Sequence, residues 1–131
     1  MSINHSGDVL PNGAFLSLQS VKDSYLIDVR TDLEWKMIGA PDLTGIKKEV
    51  IFLSWRLAPE MSLNAEFIPI LDQLIKDKNS VLYFLCKSGG RSAEAARAAY
   101  DYGYKQSYNI LYGFEGENMG WKALNLPWRH Y

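Results

Sequence analysis

The chain reads as an α/β protein with a central, mainly parallel sheet of four to five strands and helices on both faces. Three observations carry that reading. Strand-like and helix-like segments alternate from end to end, four of the strands are nearly continuous apolar runs, and the connections are short. Continuous apolar runs belong to strands buried on both faces, and short alternation favours parallel crossovers packed on a sheet. A length of 131 residues suits one domain with one core over residues 1–131.

Taken in order, residues 1–7 read as a loose polar tail, and Val9-Leu10 as a short edge strand. Pro11 fits a first helical turn, and Ala14, Phe15 and Leu18 supply the apolar stripe of a short helix ending near Ser20. Tyr25–Val29 is the next strand. Thr31, with Glu34 three residues later, forms a capping box for a helix over Asp32–Met37. Residues 38–48 are rich in Gly and Pro and read as a loop, and Val50–Leu53 as a buried strand. A longer helix covers about 64–78, with Phe67, Ile70, Leu71, Leu74 and Ile75 on one face; Pro69 requires a later start or a kink. Val81–Leu85 is the central strand, and Ala93–Tyr102 a helix closed by Gly103. Ser107–Leu111 is the last strand, with a short helix around Met119–Leu124 behind it; Trp128–Tyr131 take no assignment.

The chemistry concentrates where the central strand ends. Cys86 is the one cysteine of the chain, and Lys87-Ser88-Gly89-Gly90-Arg91-Ser92 follow it before the helix. A helix N-terminus has unpaired N–H groups and roughly half a positive charge, so a thiolate there is favoured over a thiol. Lys87 and Arg91 add cations, and the paired glycines let successive N–H groups point inward as an anion nest. A lone cysteine is commonly a small buried hydrophobe. The polar, glycine-bearing loop behind Cys86 does not belong in a core and favours a nucleophile. Ligands of parallel sheets bind beyond the carboxyl ends of the strands. Arg30, Arg56, Lys87 and Arg91 would then surround Cys86 on one rim. For Arg30 a structural ion pair with Asp28 or Glu34 is the preferred reading, and for Arg56 both readings stand.

Other classes find little support. A net charge of −1 offers no nucleic-acid surface and no polybasic membrane patch. One cysteine and two histidines near opposite ends, His5 and His130, provide neither a disulfide framework nor metal-ligand spacing, so no metal or cofactor is expected. The N-terminus lacks the pattern of a signal peptide, and no apolar run approaches the roughly 20 residues of a membrane span. A soluble, cytoplasmic protein is the expectation.

Several pieces together resemble a single-domain rhodanese. They are Leu26-Ile27-Asp28-Val29-Arg30 with Glu34-Trp35, Val81–Leu85 leading into the Cys86–Ser92 loop, Asn109-Ile110 leading into Gly113-Phe114-Glu115-Gly116, and Gly120-Trp121 with Leu126-Pro127. The resemblance spans about Val9 to Trp128, and the cysteine loop is its most specific part. Many rhodaneses carry a histidine in the stretch corresponding to Met37–Asp42; this chain has none there. The resemblance implies a parallel α/β fold. It implies a Cys86 that takes a sulfane sulfur from a small anionic donor such as thiosulfate. The sulfur then passes to a thiol, cyanide or a sulfur-carrier protein. The backbone N–H groups of Lys87 to Ser92 would cradle the outer sulfur, Lys87 and Arg91 would attract the donor, and Asp28, Arg30 and Arg56 would support the site. A preformed thiolate needs no general base, in keeping with the absence of histidine from the motif.

Two rivals are weighed against this. Cysteine phosphatases and arsenate reductases resemble a Cys, five residues, Arg pattern. Here four residues separate Cys86 from Arg91, so the loop is one residue short for a tetrahedral oxyanion. A rhodanese-like binding module without catalysis is the other rival, and an intact Cys86 with cationic and glycine neighbours argues against it. Trp35, Trp55, Phe114 and Trp121 are candidates for an acceptor pocket above the loop, with ordinary core packing as the plainer reading.

Overall fold

A computed structural model describes residues 5–131. Its centre is a five-stranded parallel sheet: β1 (Gly7–Val9), β2 (Ser24–Asp28), β4 (Ile51–Phe52), β7 (Val81–Leu85) and β8 (Ser107–Ile110), in the order β1-β8-β7-β2-β4. Two antiparallel pairs lie outside it. One joins β3 (Ala40–Pro41) to β9 (Trp128–Arg129), and the other joins β5 (Arg56–Leu57) to β6 (Ser62–Leu63). The helices are α1 (Pro11–Ser20), α2 (Asp32–Ile38), α3 (Phe67–Leu74) and α4 (Gly90–Tyr102), with a 3₁₀ turn at Thr44–Ile46.

Strand alternation explains the layering. Ile27, Val29, Leu82, Phe84 and Cys86 point to one face and pack with Phe67, Leu71 and Ile75 of α3 and Ala95, Ala96 and Ala99 of α4. Leu26, Tyr83, Leu85 and Ile110 point to the other, against Ala14 and Leu18 of α1 and the buried Phe114 and Trp121. The three alanines let α4 lie close on the sheet. That close approach brings the helix N-terminus over the end of β7, where Cys86 stands.

Most expected elements occur near their expected places. Thr31 and Glu34 do form the capping box of α2. Pro69 is resolved without a kink: α3 begins at Phe67, so Pro69 falls in the first turn, where a missing N–H costs no helical bond. The helix also stops at Leu74, short of residue 78. Ile75 turns extended, and Tyr104 Oη donates to its carbonyl at 2.5 Å.

Other expectations need correction. Of the tail read over residues 1–7, residues 1–4 lie outside the described range. Ser6 donates its N–H to the Ser107 carbonyl, and Gly7 opens β1, so the order of the chain begins before Val9. The helix expected at Met119–Leu124 is a run of turns between Asn118 and Asn125, both at positive φ, and in it Gly120 packs against Gly116, whose N and O sit 2.5 and 2.7 Å from where a Gly120 Cβ would be. The Gly/Pro loop after α2 contains β3, whose partner β9 lies in the unassigned C-terminal residues. No helix among the described residues is long and apolar enough to cross a membrane.

Candidate active site

Cys86 directly follows β7 and is 1% exposed. Its Sγ accepts a hydrogen bond from the Gly89 N–H at 3.1 Å and lies 3.2 Å from Ser92 Oγ, whose one proton also has Asn109 Oδ1 within 2.5 Å. Gly89 reaches that position with φ +115°, a left-handed conformation that favours glycine, and it forms the N-cap of α4. Gly90, Arg91 and Ser92 open the helix, so their N–H groups have no carbonyl within it. The sulfur therefore lies under a helix N-terminus, with one N–H aimed at it and a hydroxyl within reach.

A segment after β8 holds the loop in that shape. The Phe114 N–H donates to the Cys86 carbonyl at 2.8 Å, and the Glu115 N–H to the Lys87 carbonyl at 3.0 Å. These bonds tie the first two carbonyls of the loop to a neighbouring segment. Gly113 makes the approach possible. Its φ is +54°, and a Cβ there would lie 2.3 Å from the Cys86 oxygen.

The charged residues divide. Lys87 and Ser88 are exposed, and Lys87 takes part in no ion pair among the described residues. Arg91 is half-buried and committed: Nη1 and Nη2 donate to Glu34 Oε1 and Oε2 at 2.7 and 2.9 Å. Those hydrogen bonds raise the guanidinium against the effect of burial, with the charges of Glu34, Cys86 and Asp28 adding. Arg91 is thus within electrostatic reach of Cys86, but its hydrogen-bonding edge is spent on α2. Lys87 remains the cation open to an incoming anion.

Asp28 and Arg30 lie at the end of β2 and are fully buried. Arg30 Nε and Nη2 grip the Asp28 carboxylate at 3.0 and 2.8 Å, and Nη2 also donates to the Gly39 carbonyl at 2.9 Å. The guanidinium lies 4.3 Å from the centre of the Phe114 ring. The pair joins β2 to the end of α2 and supports the residue that clamps the loop; it does not bond the loop itself. Arg56 lies on β5, and its partners are the Met61 carbonyl and Glu94 of α4, the latter also holding Trp55 Nε1. The structure thus brings Cys86, Gly89, Arg91 and Ser92 together, leaves Lys87 exposed beside them, and assigns Asp28, Arg30 and Arg56 to surrounding contacts. Phe114 and Trp121 are wholly buried, which leaves only the half-buried Trp35 and Trp55 of the four aromatics near solvent. A cavity of about 800 Å³ lies at the opposite end of β2, away from the sulfur, lined by Lys22, Ser24 and Tyr25 among others.

Glu34, expected from the sequence as a helix cap and as one of two possible partners for Arg30, keeps the cap but pairs with Arg91 instead, and Arg30 takes Asp28. Glu34 accepts from the Thr31 N–H at 3.1 Å while holding Arg91. Burial works to raise its carboxyl, but the hydrogen bonds from Arg91 and Thr31 and the Arg91 charge outweigh it and hold the group at about 2, down from 4.5. A depressed carboxylate contributes stability above its unfolded value and loses it as pH falls through the folded one. The acid loss attributable to Glu34 should therefore run from about pH 5 to about pH 2. With both side chains about a fifth exposed, the full linkage of about 3 kcal/mol reduces to roughly 1–2 kcal/mol. Glu34→Gln should lose about that much at pH 7 and show a flatter acid limb in thermal melts. Parallel melting profiles for the two proteins across that window would remove the linkage.

Against this geometry, the comparisons with known proteins are consistent. The profile of the STR4 middle domain matches residues 7–131. An uncharacterised protein of Rickettsia conorii is 44% identical over 118 residues, covering 88% of this chain and 91% of the relative. The chloroplastic rhodanese-like domain-containing protein 4 of Arabidopsis thaliana is 28% identical over 116 residues, covering 88% of this chain and 24% of that protein. Among solved structures, Rv0390 of M. tuberculosis superposes with a TM-score of 0.86 at 33% identity, covering 97% of this chain and 99% of that one. The polysulfide-sulfur transferase homodimer of Wolinella succinogenes gives 0.69 at 27% identity, covering 93% and 77%. A five-stranded parallel sheet, a family profile matched over residues 7–131 and a rhodanese-like plant relative lead to the same place: the chain belongs to the rhodanese-like family, in the group of the STR4 middle domain.

Proposed function

We propose that the protein is a sulfurtransferase that carries sulfane sulfur as a persulfide on Cys86. The observation that carries this reading is the Cys86 sulfur at the strand end, bonded by Gly89 N–H and within reach of Ser92 Oγ under the α4 N-terminus. In the first half-reaction the Cys86 thiolate attacks the outer sulfur of thiosulfate. A new S–S bond forms, the donor S–S bond breaks, and sulfite leaves with the electron pair. In the second, a thiolate or cyanide attacks the outer sulfur of the persulfide, and the Cys86 thiolate returns. Both half-reactions keep a negative sulfur at the loop. Fixed N–H donors and a helix dipole stabilise such a charge without reorganising. The likeness to a protein described as a polysulfide-sulfur transferase supports a sulfane donor in general, so polysulfide stands beside thiosulfate as substrate.

The test is intact mass before and after incubation with thiosulfate or polysulfide, with cyanide added last. A gain of one sulfur atom, reversed by cyanide and blocked by prior alkylation, is the expected result. No gain with either donor overturns the proposal.

Because Arg91 is held by Glu34, donor capture rests on Lys87. Lys87→Ala should raise KM for thiosulfate by about threefold to tenfold at low ionic strength, with kcat little changed and the difference shrinking as salt is added. An unchanged KM would show that Lys87 does not steer the donor.

A further inference from the structure

A line of side chains runs from the sulfur to the edge of the sheet, and the persulfide chemistry leaves most of it unused. Ser92 Oγ lies 3.2 Å from Cys86 Sγ and 2.5 Å from Asn109 Oδ1. Asn109 Nδ2 donates to Asp8 Oδ1 at 3.2 Å, and His5 Nε2 donates to the same oxygen at 3.1 Å. Ser92 and Asn109 are buried, whereas Asp8 is 39% exposed. The residues are far apart in sequence, and the parallel register of β1 on β8, with Asp8 beside Asn109, brings them together.

Donor and acceptor chemistry settles the orientation of each group. A carboxylate only accepts, so Asp8 fixes Nδ2 of Asn109 toward itself and leaves Oδ1 facing Ser92. The Ser92 hydroxyl has one proton and two acceptors, the Asn109 oxygen and the Cys86 sulfur. An amide passes no proton onward at any useful rate, so this line is not a route for protons. It is a competition for one of them. We infer that Asp8 and Asn109 are positioning residues for Cys86: they hold the Ser92 hydroxyl toward Asn109, and the hydroxyl turns to the sulfur only when the sulfur becomes an anion.

The sign of the effect follows. If Asp8 is lost, the Asn109 amide is free to flip and present Nδ2 to Ser92. Ser92 then accepts from the amide, and its own proton goes to the sulfur. The anion gains a donor that no longer has a rival. Other ionisable groups around the sulfur are Lys87 in the loop, Arg91 on α4 with Glu34 on it, the Asp28–Arg30 pair on β2, and Glu115 and Tyr112 in the loop after β8. Asp8 with His5 is the pair bonded to the Asn109 amide line.

The experiment is the rate of Cys86 alkylation by iodoacetamide over pH 5–10 in the full chain. Asp8→Ala and Asn109→Leu should each raise the rate at pH 7 about threefold and move the midpoint of the profile down. Ser92→Ala should lower the rate and move the midpoint up. The decisive comparison is Asp8→Ala in the Ser92→Ala background, where the acceleration should vanish. Asp8 is also a negative charge whose removal favours any anion. Equal acceleration with and without Ser92 would reduce Asp8 to that charge and overturn the inference, as would slowing by Asp8→Ala. Asn109→Leu removes the acceptor and leaves every β1 side chain and its His5–Asp8 contact in place, so the inference stays testable if Asp8→Ala frays the edge strand; no acceleration in Asn109→Leu overturns it. The assay needs no sulfur donor, so its outcome is separate from that of the persulfide reading.

Discussion

Cys86→Ser is expected to lose sulfur loading altogether and to lower turnover of thiosulfate by about three orders of magnitude or more. An alkoxide is hard and strongly basic, and a serine hydroxyl does not attack sulfane sulfur at neutral pH. The fold should survive, because the site accommodates the change. Serine is smaller than cysteine, and its oxygen can accept from Gly89 N–H as the sulfur does, beside the same Ser92 hydroxyl. The chain has no second cysteine to take over the role. Intact mass after thiosulfate, thermal melting and turnover with cyanide together check the prediction. A variant that still gains sulfur would move the carrier elsewhere. A variant with wild-type turnover and no loading would replace the persulfide route with direct transfer.

What could be read from residues alone follows the range of the interactions. Val81–Leu85 was legible as the central strand because burial on both faces leaves a continuous apolar run, and the structure gives those same bounds. The Thr31–Glu34 cap was legible because both partners lie within one turn. Gly103 was legible as a helix stop, and it sits there at φ +135°. The two-residue pairing of Ala40–Pro41 with Trp128–Arg129 was not, since a pair so short has no periodicity and its halves lie at a sequence distance no local pattern spans. The same reason hides half of the candidate site. The loop announces Cys86 and its glycines by composition. That Arg91 is bound to Glu34, 57 residues away, is a product of α2 and α4 meeting, and the approach of Asn109 to Ser92 needs β8 beside β7. Gly116 and Gly120, which suggested nothing against a terminal helix, pack backbone on backbone within a run of turns instead.

Gly113→Ala is the substitution outside the cysteine with the largest expected effect. Two costs add at this position. Alanine at φ +54° stands in the left-handed region, at about 1 kcal/mol. The new Cβ would also lie 2.3 Å from the Cys86 oxygen and 2.5 Å from both the carbonyl carbon and the oxygen of Lys87. These are backbone atoms, and they are held by the hydrogen bonds from Phe114 and Glu115. Relief requires breaking that clamp or pushing the loop off the sulfur. A loss of roughly 3 kcal/mol or more follows, equivalent to a fall in Tm of about 10 °C, together with loss of sulfur loading. Gly13→Ala is the matched control. Gly13 lies inside α1, and a Cβ there would touch nothing within 4 Å. The same chemical change should there stabilise the protein by about 0.5–1 kcal/mol, because alanine is the better helix residue. If Gly113→Ala melted and loaded sulfur like the wild type, the loop would owe its shape to its own residues rather than to the segment behind it. A variant that keeps its Tm but no longer loads sulfur would locate the effect of the clamp in the orientation of the loop N–H groups rather than in the stability of the fold.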